Sequence, residues 1–205
     1  LGSRGLGDVY KRQISNDPAR DCAYSPAAEE RVTALAPACA VKMENVTKRF
    51  GKVVANNAIN LELREGEILS LLGENGSGKT TLIKLANGLL TPTGGEILIK
   101  GMKPGPETKR IVSYLPDKQC LADWMNVRQL MDFFADFYAD FDREKAVDML
   151  KRLNISESQK VKQMSKGTRE KVQLIMVMSR KAELYLLDEP IGGVDPACLL
   201  YTSPS

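Results

Sequence analysis

Residues Gly73–Thr81 read GENGSGKTT and satisfy the spacing G-x-x-x-x-G-K-[ST]. Each residue type there suits a chain of phosphates. Gly76 and Gly78 let the backbone turn its amide hydrogens toward phosphate oxygens, and a helix beginning near Lys79 adds its positive N-terminal end. Lys79 can bridge terminal phosphates, and Thr80 can place its hydroxyl on a magnesium ion. The candidate phosphate-binding set is Gly73, Asn75, Gly76, Ser77, Gly78, Lys79, Thr80 and Thr81. Far along the chain, four apolar residues ending at Leu187 deliver Asp188 and Glu189. Alone, such a pair reads as a solvated strand end. After a phosphate cradle it reads differently: Asp188 is suited to hold magnesium directly or through water, and Glu189, on the alternate side of the strand, to orient and polarise an attacking water.

The elements that must position these groups are legible from Val41 onward. VKMENVTKRF alternates apolar and polar residues, and AINLELREGEILSLLG gives two strand-like runs about a turn at Arg64 to Gly66. The second run, Ile68 to Leu72, is expected to be a buried parallel strand feeding the cradle. GGEILIKG and RIVSYLP give further strands. Lys79 to Leu90 reads as a helix closed by Asn87 and Gly88, with Pro92 as a stop. Leu130, Phe133, Phe134, Phe137 and Phe141 recur at helical spacing and predict the core face of a helix. Helices over Asp142 to Leu153 and roughly Lys166 to Arg180 precede the last strand. The predicted class is α/β, with an antiparallel β layer, a nucleotide-type strand and helix, and a helical insert at about 122–180.

The 205 residues, 43% of them hydrophobic, suffice for one domain. A net charge of +3 leaves no electrostatic footprint for nucleic acid. Cys22, Cys39, Cys120 and Cys198 are widely spaced and the chain has no histidine, so no zinc set is available and free thiols in a reducing cytosol are expected. No apolar run approaches the roughly 18 residues of a membrane span, so a membrane role requires a partner. Residues 1–40 lack a period. LGSRGLGDVYKRQ and the terminal LLYTSPS both resemble translated sequencing-adapter read-through. The expectation is a non-native or disordered leader at 1–40, a domain at 41–197 that is C-terminally incomplete, and a non-native tail at 198–205.

Phe50, the cradle, MSKGTREK and LYLLDEP follow one another in the order and approximate spacing of an ATP-binding-cassette (ABC) transporter ATPase subunit, which residues Val41 to about Ala197 resemble. MSKGT, Met164 to Thr168, looks like that family's signature, usually Leu-Ser-Gly-Gly-Gln. The resemblance implies a P-loop NTPase core of ABC type binding ATP and Mg2+, and two cassettes paired head to tail. Ser165, Lys166 and Gly167 of one cassette would then meet the γ-phosphate held by the other. Phe50 matches the adenine-stacking aromatic, with a strand-end core residue as the alternative, and GGVDP matches a segment that contacts the partner. Two positions depart from the pattern. Asp117 stands where the family usually has a magnesium-reaching glutamine, and Lys166 replaces a signature glycine. With Asp123 and Trp124, these departures look like a bacterial exporter subgroup in which the cassette sits on the inner face of the membrane beneath an integral membrane subunit. A soluble ABC ATPase acting on ribosomes or in cofactor assembly, and a non-functional piece, are the other readings.

Overall fold

The computed structural model describes residues 38–190. Nearly all of the expected leader, the GGVDP segment and the expected tail lie outside the described residues. The first strand, β1, runs Cys39–Phe50 and begins two residues before Val41, because Ala40 continues the apolar face and is buried. Val41, Met43 and Val46 point into the core while Lys42 and Glu44 point out. Strand β2, Val53–Arg64, pairs antiparallel with one edge of β1, and β3, Gly94–Ile99, with the other. Where β1 shifts register around Asn45, β3 passes so close that a Cβ on Gly95 would lie 2.3 Å from the Asn45 carbonyl oxygen, and Gly95 has a φ of 80°. Only glycine fits that crossing.

The helix expected after the cradle is α1, Lys79–Ala86. It stops four residues short of Leu90, at Asn87, where Gly88 takes a φ of 67° and hydrogen-bonds back to the Leu85 carbonyl. Leu82, Leu85 and Ala86 bury the inner side of α1 against Val41, Met43, Ile97 and Ile99 of the antiparallel sheet. A one-turn helix, α2 (Thr108–Ile111), leads into β4, Val112–Leu115, which pairs in parallel with β5, Leu184–Leu187.

The run Ile68 to Leu72 departs from expectation, because it is not a strand. Ile68 is 91% and Leu72 81% exposed, and of the run only Leu71 packs on the core beside α1. The physical reason is the lack of a ladder partner: β5 pairs with β4, and among the described residues no strand lies along 67–72. Apolar character alone does not make a strand; hydrogen-bonding neighbours do.

Between β4 and β5 lies the helical insert, with α3 at Val127–Phe137, α4 at Arg143–Arg152, a 3-10 turn at Val161–Gln163 and α5 at Lys166–Met178. Asn126 and Gln129 form a reciprocal capping box at the start of α3, and Asp142 caps α4. Leu130, Met131, Leu150, Val161, Val172 and Ile175 form the insert's own core. The aromatic stripe divides. Phe134 and Phe141 pack against that core, whereas Phe133 and Phe137 are 43% and 69% exposed and lie against each other, ring centroids 4.6 Å apart. The buried face of α3 runs through residues 127, 130, 131 and 134, and the other two phenylalanines sit beside it.

Candidate nucleotide-binding site

The cradle bends as its glycines predict. Gly76 and Gly78 have φ of 83° and 95°, and a Cβ at Gly73 would fall 2.9 Å from Ser77 Oγ. Gly78 is also pinned from the side, since a Cβ there would lie 2.3 Å from the Ala55 carbonyl oxygen. Asn56, buried on β2, donates from Nδ2 to the Gly78 carbonyl at 3.3 Å. Thus the antiparallel layer sets the height of the loop, a role for Ala55 and Asn56 that no motif announces. Their only sequence mark is an unremarkable polar run, VVANNAIN.

Helices α3, α4 and α5 each begin with a side chain that caps their free amides. The N-terminus of α1 has Gly78 in that place and no side-chain cap. Its first-turn amides therefore keep their hydrogens for an acceptor from outside the helix. Lys79 Nζ donates to the carbonyls of Gly73 and Glu74, both at 2.8 Å, so the ammonium lies over the loop. A cleft of about 190 Å³ is lined by Ala55, Asn75, Gly76, Gly78, Lys79, Thr80, Thr81 and Glu189. Residues 108 and more positions apart in sequence therefore meet: the Thr80 hydroxyl donates to Asp188 Oδ1 at 3.0 Å.

Parallel pairing puts Asp188 there. Its amide donates to the Leu115 carbonyl at 2.9 Å, carrying the β4–β5 ladder one step past Leu187. Asp188 is 2% exposed. Burial pushes its carboxyl above the ordinary carboxylate range. The Thr80 hydrogen bond and the Lys84 ammonium oppose that rise, and the negative charges of Asp117 and Glu189 reinforce it. Asp188 Oδ2 is buried without a hydrogen-bond partner, and so is the Tyr114 hydroxyl. A buried carboxylate oxygen with no partner, next to a threonine hydroxyl at a phosphate loop, fits magnesium, a hard ion that takes oxygen ligands and keeps waters and phosphates for the rest of its shell. Glu189 has a φ of 51°, in the left-handed region that a non-glycine residue seldom holds.

Of the other expected site residues, Asp117 is exposed just beyond β4, close enough for its charge to act on Asp188 and Tyr114. Phe50 is half exposed at the end of β1, so it is not a core residue, and Lys48 Nζ lies 5.0 Å from its ring centroid. Ser165 caps α5 by accepting from the Thr168 amide at 3.2 Å, and Lys166 pairs with Glu170 at 3.8 Å. Phe50, Ser165, Lys166 and Gly167 do not line the cleft. A Cβ at Gly167 would meet nothing within 4 Å, so packing inside this chain does not call for glycine there.

The family model for ABC transporters matches residues 56–192. The Bacillus subtilis ABC transporter ATP-binding protein YhaQ is 36% identical over 159 residues, which cover 75% of this chain and 53% of that protein. YtrB of the same species, also an ABC transporter ATP-binding protein, is 34% identical over 154 residues, covering 72% of this chain and 53% of its own length. The chain spans about half the length of the curated relatives it matches. Among solved structures, an ATP-binding subunit of an ABC transporter superposes with a TM-score of 0.70 at 27% identity, over 79% of this chain and 71% of that one. An ABC transporter ATP-binding protein of Pyrococcus furiosus gives a TM-score of 0.69 at 24% identity, over 79% and 82%. Cradle, paired carboxylates and fold agree with these matches, and the chain belongs to the ABC transporter family.

Proposed function

We propose that this chain supplies the ATP-binding and hydrolysing part of an ABC exporter, one of two cassettes that close head to tail beneath an integral membrane subunit on the cytoplasmic face. The observation that carries the reading is the convergence of the glycine loop, Lys79, Thr80 and Glu189 on one cleft, with Asp188 bonded to Thr80. The loop amides and the start of α1 hold phosphate oxygens, and Lys79 turns from the two carbonyls to the terminal phosphates. Thr80, Asp188 and Asp117 are the oxygen donors for magnesium, which draws charge from the phosphates when bound. Glu189 orients the attacking water and accepts its proton.

Phe50 would stack on the adenine. Ser165, Lys166 and Gly167 would serve the second cassette's nucleotide, which accounts for a glycine that this chain's own packing does not require. Relatives bear names for both directions of transport, a multidrug ABC transporter ATP-binding protein YbhF of Escherichia coli at 30% identity and a nucleoside import protein NupA of Lactococcus lactis at 31%. The exporter direction rests on Asp117, Lys166, Asp123 and Trp124. Among the described residues no helix is long and apolar enough to cross a membrane.

The test is Glu189→Gln in the full-length protein. It is expected to retain ATP while phosphate release falls at least a hundredfold, because general-base catalysis contributes on the order of 10²–10⁴. Chromatography with ATP should then show a persistent pair of cassettes. Phosphate release at the parent rate would remove Glu189 from its role.

A further inference from the structure

Side chains alternate across β4, and its two faces have different work. Ser113 Oγ donates to the Val177 carbonyl at 2.8 Å, and Leu115 packs on Leu174, Val177 and Met178 of α5. Val112 turns the other way and packs with Leu82 and Leu85 of α1. Tyr114 follows Val112 on that same face. On β5, Leu184 and Leu186 also pack on the α1 side, and Asp188 is the next residue in phase with them. Tyr114 and Asp188 thus project from adjacent, hydrogen-bonded strands toward the first turn of α1. Their charges and dipoles interact: after burial, the Asp188 carboxylate is the largest influence on the phenol, followed by Asp117, and together they push it up to about 12. A phenol in that state keeps its hydrogen and can donate it.

Two buried polar atoms without partners stand on this face, Tyr114 Oη and Asp188 Oδ2. One is a donor and the other an acceptor. Leaving either unmade is costly, and a single water bridging them would satisfy both. We propose that Tyr114 is a positioning residue for the metal-binding carboxylate, its hydroxyl holding Asp188 Oδ2 through one buried water while the Thr80 hydroxyl holds Oδ1. Clamped at both oxygens, the carboxylate would be kept from rotating away from Thr80, so that it would be set in place for the magnesium ion that Thr80 and Asp188 would hold. Tyr114 touches neither phosphate nor the reacting water, and its effect passes through Asp188.

This inference rests on the Mg-ATP reading of the cleft. The experiment is Tyr114→Phe in the full-length protein, which deletes the hydroxyl and keeps the ring. Calorimetric ATP titrations are run across a range of Mg2+ concentrations and again in EDTA. The half-saturating Mg2+ should rise three- to tenfold, with ATP affinity in EDTA unchanged, beside the modest fall in melting temperature that losing one buried hydrogen bond brings. An unchanged Mg2+ midpoint, whatever the melting temperature, would leave Tyr114 no part in placing the carboxylate and overturn the proposal. As a second measurement, 3-fluorotyrosine placed at 114 alone in the parent protein should shift its fluorine resonance with the same Mg2+ midpoint as nucleotide binding. A resonance indifferent to Mg2+ would overturn the proposal even if the phenylalanine variant did not fold. Failure of the parent protein to bind Mg-ATP would instead sink the reading of the cleft itself.

Discussion

Lys79 holds the loop by its own carbonyls, so its ammonium has two protein acceptors to exchange for phosphate oxygens. Hydrogen bonds to a charged group contribute about 1.5–3 kcal/mol. Lys79→Ala should therefore weaken ATP binding roughly ten- to a hundredfold in calorimetry, and equal affinity would exclude the lysine from the phosphates. Residues of this kind are legible in a sequence because their chemistry is contiguous: Gly73–Thr81 carries its own turn, donors and helix start. Asp188 was legible for a related reason, as a carboxylate at the end of an apolar run. Ala55, Asn56 and Tyr114 were not. Ala55 and Asn56 act through contacts made only when β2 is laid beside the loop, and the place of Tyr114 depends on β4 lying beside β5; their residue types in isolation say nothing of it.

Helices declare their ends in the residues that cap them. Asn126→Ala removes the side-chain half of the α3 capping box and should lower stability by about 1 kcal/mol in a urea titration. Asp142 adds a pH dependence. The Lys145 amide, and then Lys181, hold its carboxyl below the usual carboxylate range. A carboxyl depressed in the folded state stabilises above its unfolded value of about 3.9 and loses that contribution as pH falls toward the folded value. Asp142→Asn should flatten the acid limb of stability below about pH 4, as followed by circular dichroism. The strand at Ile68 to Leu72 shows where element reading fails. Composition records whether a segment suits a sheet interior, and pairing decides whether it is in one. The aromatic stripe fails more gently: its spacing matches α3 through Phe137, but Phe141 falls beyond the end of that helix, and Phe133 and Phe137 lie outside the face packed on the insert's core.

At the scale of the described molecule, one residue ties the insert to the strands. Arg180, 3% exposed, donates to Asp140 and to the carbonyls of Val112 and Arg110, and its guanidinium carbon lies 3.9 Å from the Tyr138 ring centroid. Tyr185 of β5 donates its hydroxyl to the Arg180 carbonyl. Removing one partner of a buried pair costs about 3–5 kcal/mol, and Asp140 keeps some contact with water, so Arg180→Met should sit near the low end of that range in chemical denaturation. A loss well under 1 kcal/mol would mark the cluster as a surface ornament. Nothing in the sequence near Arg180 points to this clasp, because its five contacts come from three separate stretches of chain.

The segment entering the cradle has one further consequence. Residues 67–72 have no ladder and a single apolar anchor in Leu71, whereas α1, on the other side of the loop, is packed along its length. Ordering a residue's backbone costs about 1–2 kcal/mol in conformational entropy. If bound nucleotide orders that segment, affinity for a phosphate chain is the difference between the contacts the loop makes and the freedom its entering segment gives up. Whatever pairs with that segment in advance would tighten nucleotide binding without touching the nucleotide, by the same free energy with which bound nucleotide would favour the pairing.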